Sequence, residues 1–172
     1  GTGKNGTFDK NPDWNRWAVL EVYDSPTSTP TFITGWWKLF NATQTIYELE
    51  PIEGHGLWDG KQVFGDLPKN SDYEGKIAVL TRATIKLSGL KRFWEHVDAI
   101  ANQMASAPGF ITSVGIGEVP FIKQATFSIW ESKELMRSFA YKLPLHKEVI
   151  KKTHQEKWYS EDMFTRFKVI EK

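Results

Sequence analysis

Ile77-Ala78-Val79-Leu80-Thr81-Arg82-Ala83-Thr84-Ile85 is the stretch whose reading decides the fold, a β-rich run with one charge, Arg82, set into it. A helical run follows from Leu90 to Ala105, with Phe93, Trp94, Val97, Ile100, Ala101 and Met104 at helical spacing. Phe110 to Val119 and Phe121 to Trp130 are two further β-rich runs, broken at Glu118-Val119-Pro120 because proline cannot donate to a ladder. A second helix is predicted behind Ser132, with Glu134 placed to favour the N-terminal dipole, and it continues through Leu135, Met136, Phe139 and Ala140. In a closing strand, Phe164, Arg166, Lys168 and Ile170 alternate with Thr165, Phe167, Val169 and Glu171. Ile77 to Lys168 therefore reads as a complete β-α-β-β-α-β unit. Two helices would cover one face of a four-stranded antiparallel sheet, and the other face needs cover of its own.

The N-terminal part reads as a broken copy of the same unit. Residues 1–13 have no periodicity, and Arg16 to Tyr23 alternates as a strand. Beyond a Ser-Pro-Thr-Ser-Thr-Pro turn, Phe32, Trp36, Trp37 and Phe40 form an aromatic helical face, and Thr45 to Ile52 is another strand. Trp17 to Ser25 matches Gln124 to Ser132 in pattern, and Tyr47 to Glu53 matches Thr165 to Glu171, a period of about 110 residues that marks a domain-sized duplication. The first copy then holds only its last strand, helix and strand, and its opening elements are expected upstream of Gly1. Residues 54–75, with five glycines and one proline, read as a long linker that packs on the body through Trp58, Val63, Phe64 and Leu67. The predicted organisation is a partial first ferredoxin-like repeat over 1–53, this linker, and a complete second repeat over 76–172. The fold class is α+β, with the two repeats facing each other as an α/β barrel and the helices outside.

Composition sets the bounds. A formal net charge of +1, from 22 basic and 21 acidic side chains, gives no electrostatic footprint for nucleic acid. Without cysteine there is no disulfide, thiolate nucleophile or iron–sulfur site, which leaves four histidines as the main soft ligands. No apolar stretch is long enough to span a membrane, and a cytoplasmic location is expected. The Lys-rich segment Lys142 to Lys157 reads as a solvated helix face, or as a basic rim resting on a membrane surface.

Several segments resemble the spheroidene monooxygenase family: Gly56-Leu57-Trp58-Asp59-Gly60, Leu80 to Ile85, Arg92-Phe93-Trp94, Ile116 to Pro120, Gln124 to Trp130, and Trp158-Tyr159-Ser160-Glu161 followed by Phe164-Thr165-Arg166-Phe167. The resemblance implies a fold of the dimeric α/β-barrel type. It also implies a haem-dependent monooxygenase that oxidises an apolar, carotenoid-like substrate with O2 and an external electron donor. Exposed sheet edges point separately to a homo-oligomer, while the duplicated unit could instead close its barrel within one chain.

In that frame His146 is the first choice for the iron ligand, since it shares a helix face with Val149 and Ile150 behind Pro144. The plain alternative is a half-buried histidine bonded to backbone. His154 is the second choice, while His55 and His96 read as surface residues. Arg82 either clamps a haem propionate or a substrate oxygen, or has a structural place, paired with a buried carboxylate such as Glu118 or on the face that reaches solvent at the sheet edge. Trp130 and Trp158, near strand and helix ends, are candidates for a cofactor or substrate pocket, whereas the helical aromatics are core. Gly115-Ile116-Gly117-Glu118 precedes a strand rather than a helix, so dinucleotide binding is rejected. A haem or lipid carrier without turnover, and a barrel oxygenase that needs no cofactor, are the competing readings.

Overall fold

The computed structural model describes residues 2–4, 11–24, 32–142 and 144–170, and the side chains of 32–34, 142, 144–147 and 154 fall outside that description. Its strands are β1 (Thr2–Gly3), β2 (Pro12–Asp13), β3 (Glu48–Gly56), β4 (Ile77–Ile85), β5 (Phe110–Val119), β6 (Lys123–Trp130) and β7 (Tyr159–Ile170). The helices are α1 (Phe32–Leu39), α2 (Leu90–Ala105), α3 (Lys133–Arg137) and α4 (Pro144–Gln155).

The strands form one antiparallel sheet in the order β2-β1-β5-β6-β4-β7-β3. Its four central strands, with the helices between them, are the ferredoxin-like unit that the periodicity predicts. Local signals set the boundaries. The Ser132 hydroxyl accepts from the Leu135 amide at 3.2 Å and caps α3. Pro144 begins α4, where a missing N–H costs nothing. The β5–β6 turn falls at Pro120, with Phe121 at φ 65° and the Ile122 amide donating to the Val119 carbonyl.

Each face of the sheet carries its own core, as the period of two along every strand requires. On one face Ile77, Val79 and Trp130 pack with Met104 of α2, Met136 of α3 and Phe139. On the other, Ala78, Leu80, Ala125, Ile129, Met163 and Phe167 are covered by Trp58, Val63 and Phe64 of the linker.

The first repeat differs from expectation. Residues 16–24 form no strand and are exposed, because alternation without a neighbouring strand to complete the ladder does not hold a strand in place. What this repeat supplies is the short strands β1 and β2 at one edge of the sheet, α1, and β3, which extends the same sheet at its other edge instead of forming a facing one. The alignment of Tyr47–Glu53 with Thr165–Glu171 makes Glu50 the counterpart of Lys168, and these two residues pair across β3 and β7. An antiparallel pair centred on equivalent residues is what two copies related by a dyad form.

The linker wraps the free edge of β3. Residues 57–67 cross the face without helices, the Gly54 amide donates to the Pro68 carbonyl at 3.0 Å, and Ser71 then reaches the helix-covered face. The edge of β3 is thereby blunted against pairing with another chain. Gly56 makes the turn out of β3 with φ +87°, and a Cβ there would collide with the Asp162 carbonyl oxygen. Gly60, at φ +76°, has open space around it. Gly60→Ala should therefore cost only the left-handed backbone penalty of about 1–2 kcal/mol. Gly56→Ala should cost clearly more, and equal urea midpoints for the two variants would contradict this account.

Candidate functional site

Arg82 sits in the middle of β4 with 0% exposure, on the face covered by the linker. An uncompensated guanidinium there would be costly, so its partners define the site. Nε and Nη2 donate to the two carboxylate oxygens of Glu118 on β5 at 3.3 and 3.1 Å. Nη1 donates to Glu161 Oε1 on β7 at 2.5 Å, and Nη2 also donates to Asp59 Oδ1 at 2.8 Å. The guanidinium carbon lies 5.3 Å from the centre of the Trp58 ring.

Asp59 and Gly60 are the central pair of a tight turn, with φ 49° and 76°, closed by mutual backbone bonds between Trp58 and Lys61. Two left-handed residues in succession are the mark of a type I′ turn, for which Asp-Gly is a preferred sequence. The turn's amides are captured in their turn: Asp59 and Gly60 donate to the two oxygens of Glu161 at 2.8 and 2.7 Å. Lys123 Nζ adds a bond to Asp59 at 2.7 Å.

These contacts fix the protonation states. Burial opposes the Arg82 charge, but the hydrogen bonds to Glu118 and Asp59 outweigh it and hold the group above its ordinary range. The Asp59 carboxyl is held low, first by Lys123 and then by Arg82. That of Glu161 is held low chiefly by the Gly60 amide, with further help from the Asp59 amide and Arg82. Arg82 is thus a clasp that fastens the linker turn across β4, β5 and β7. Of its two predicted roles, pairing with Glu118 is the one found.

A second buried cluster lies on the helix-covered face, and the sequence reading missed it. Glu53 and Lys133 are each 1% exposed. Glu53 Oε2 accepts from Lys133 Nζ at 2.8 Å and from the Ser71 amide at 2.7 Å, while Oε1 accepts from Arg166. Lys133 also donates to Asn70 Oδ1 at 3.2 Å and to the Ser71 carbonyl. One carboxylate between two cations leaves an excess positive charge. Burial pushes the Arg166 group down to about 10, its Nε finds no partner, and the guanidinium lies over the Phe164 ring at 4.6 Å.

The remaining predicted residues stand apart from one another. Trp130 is 1% exposed, donates to Ser128 Oγ at 3.0 Å and packs between Phe110 and Phe139. Trp158 is buried as well and donates to Glu156 at 2.8 Å. Both indoles are buried in the core. His55 is exposed on β3, stacked on Phe164, and His96 Nδ1 donates to the Arg92 carbonyl at 2.7 Å. His146 and His154 lie on α4, and their imidazoles are outside the described residues. No group of three or more metal-ligating side chains occurs among the described residues.

A haem site needs an axial ligand, donors for its propionates and a flat apolar slot. Arg82, Trp130 and Trp158 are committed to other partners and do not fit that site. His146 remains as a candidate ligand on the strength of the resemblance, and no chemical step follows through the group.

The two clusters make opposite demands on substitution. Arg82→Met leaves three clustered carboxylates with Lys123 as their one cation and should cost about 3 kcal/mol at neutral pH. In the parent protein the depressed carboxyls of Asp59 and Glu161 contribute stability that is present above their unfolded values near pH 4 and lost as pH falls through their lower folded values. The variant should do the opposite and gain stability between about pH 6 and pH 4, as protonation relieves repulsion. Parallel pH–denaturation curves would refute the clasp. On the other face, Glu53→Gln strands two buried cations and should cost about 3–5 kcal/mol. Arg166→Met, which leaves Glu53 and Lys133 matched one to one, should cost less than about 2 kcal/mol. The reverse order in thermal denaturation would refute the assigned charge balance.

With this geometry in place, comparison with known proteins is informative. No protein-family profile matches the chain. It is 34% identical over 178 aligned residues to spheroidene monooxygenase of Cereibacter sphaeroides, covering 99% of this chain and 54% of that protein. It is 33% identical to the Rubrivivax gelatinosus protein of the same name, covering 97% of this chain and 65% of that protein, and 28% identical to the Rhodobacter capsulatus one, covering 73% of it. The chain thus spans between about half and three-quarters of the length of the curated relatives it matches. Among solved structures, a Fusobacterium nucleatum protein that carries a provisional monooxygenase name superposes with a TM-score of 0.51 at 13% identity, over 82% of this chain and 61% of that one, a likeness of fold alone. Sequence similarity along nearly its whole length therefore makes this chain a relative of the spheroidene monooxygenases.

Proposed function

We propose that the chain is part of a carotenoid monooxygenase, which places one atom of O2 on an apolar polyene and releases the other as water. Two electrons and two protons balance that reaction, so an external reductant is part of the proposal. The observation that carries it is the similarity to spheroidene monooxygenases over 97–99% of this chain. The apolar face that holds Leu80, Ile129, Met163 and Phe167 supports it, because a hydrocarbon substrate offers a protein nothing to bind except surface.

Haem dependence is the finer part of the proposal, with His146 as ligand. The prior engagement of Arg82, Trp130 and Trp158 favours a second reading, oxygenation without haem. No helix among the described residues is long and apolar enough to cross a membrane, so delivery of a membrane-dissolved substrate would require contact at the membrane surface.

The test is to express the protein with haem supplementation, record its absorption before and after dithionite, and incubate it with spheroidene, a reductant and isotopically labelled O2. Product carrying one labelled oxygen is the expected outcome. A Soret band that shifts on reduction and disappears in His146→Ala would establish the haem form. Turnover by a colourless protein would establish the second reading, and no labelled product under either condition would overturn the function.

A further inference from the structure

The linker covers one face of the sheet in an unusual way, with no helix and no strand between Trp58 and the end of its crossing. We propose that this face is the binding floor for a linear apolar polyene and that residues 57–67 are its lid. The inference rests on the carotenoid reading above and adds the place where the substrate lies.

The floor is mainly apolar, with Thr165 the polar residue between Met163 and Phe167 and the Arg82 clasp at one end. Ile116 of β5, Ile129 of β6, Leu80 of β4, Met163 and Phe167 of β7, and Leu49 of β3 belong to one packed cluster that spans five neighbouring strands. Four interstrand steps of about 4.8 Å make it roughly 19 Å wide, a long shallow strip rather than a deep cup. A rod-shaped hydrocarbon can lie flat across such a strip and emerge at an edge. A compact substrate would leave most of it uncovered.

The cover is fastened at its ends and free in its middle. At one end the Leu57 amide donates to the Asp162 carbonyl at 3.1 Å, and the Arg82 and Glu161 contacts hold the turn at Asp59. At the other, Pro68 is bonded to Gly54. Among the described residues no hydrogen bond joins residues 62–67 to the sheet, and the one backbone bond there, Gly65 to the Gln62 carbonyl, is internal to the segment. Gly65, at φ +76° with open space around it, gives the middle section a pivot beyond the anchored turn. A half-open cleft of about 50 Å³ lies between this middle section and the sheet edge, lined in part by Val63, Phe64, Met163 and Thr165. The middle section is thus held by side-chain packing that is incomplete. Phe64 is set edge-on against Phe167 there, with ring centres 5.0 Å apart. That contact is the one a polyene lying on the floor would replace.

The experiment follows spheroidene in detergent micelles by its visible circular dichroism, which appears when a protein imposes a twist on the polyene, and maps backbone hydrogen exchange against empty micelles. The expected result is an induced visible band, together with a change of at least about fivefold in amide exchange across 62–67. Phe64→Ala removes the ring that competes with the ligand, so it should tighten spheroidene binding by about tenfold, whereas Lys91→Ala on α2 should not alter it. An induced band with unchanged exchange at 62–67, and equal affinity for Phe64→Ala, would overturn the lid and leave the carotenoid reading standing. Absence of an induced band would overturn both.

Discussion

A charge set into a strand that is buried on both faces must find its neutralising partners, and in this protein the search for them organises one side of the molecule. Arg82 collects Glu118 from β5, Glu161 from β7 and Asp59 from the linker. None of these is close to it in sequence. The guanidinium fork suits the task because several oxygens can be bound in one plane, which an ammonium group could not do. Once Asp59 is held there, the Asp-Gly turn is anchored, and the anchored turn sets where the linker crosses the sheet.

The linker is tied on the far side by the same kind of device. Ser71 and Asn70 reach the helix-covered face and meet Glu53 and Lys133. A segment without regular structure is thereby pinned at one end to the face beneath it and at the other to the opposite face, around the edge of β3. The middle of the crossing carries no such tie. Firm ends and a loose centre are the arrangement expected of a cover that moves without detaching.

Much of this architecture was legible in the sequence, and the part that was not has a common cause. The β-α-β-β-α-β order, the Ser132 cap, the break at Pro120 and the restart at Pro144 are local signals and were read directly. The strand expected over Thr45 to Ile52 was legible too, as β3, and it pairs with β7 so that Glu50 lies opposite Lys168. Arg82 invited the question of a partner, and Glu118 was an available answer. Asp59 and Glu161 were not, since only the folded sheet brings them to Arg82. Lys133 in a first helical turn reads as a solvent-facing residue, and no local pattern announces that Glu53 waits beneath it. Residues 16–24 mark the opposite failure, in which alternation was present but the neighbouring strand that turns alternation into a ladder was not. Trp130 and Trp158 show that an aromatic near the end of an element is as readily core as pocket, because their indole N–H groups were already satisfied at Ser128 and Glu156.

The two charged clusters are unbalanced in opposite senses, and their settings explain why both are tolerated. Around Arg82, three carboxylates face two cations, but Asp59, Glu118 and Glu161 all keep partial contact with water, so the surplus negative charge is hydrated. Around Glu53, two cations face one carboxylate and all three groups are buried, so water is not available to the surplus positive charge. Protein oxygens and an aromatic face substitute for it: the Ser71 carbonyl and Asn70 take up the ammonium of Lys133, and Phe164 lies against Arg166. The compensation stops one donor short, at Arg166 Nε. It follows that Arg166 is the weakest member of its cluster, with the protonated form opposed by burial, while Lys133, whose donors are fully placed, is the member that holds α3 and the linker together.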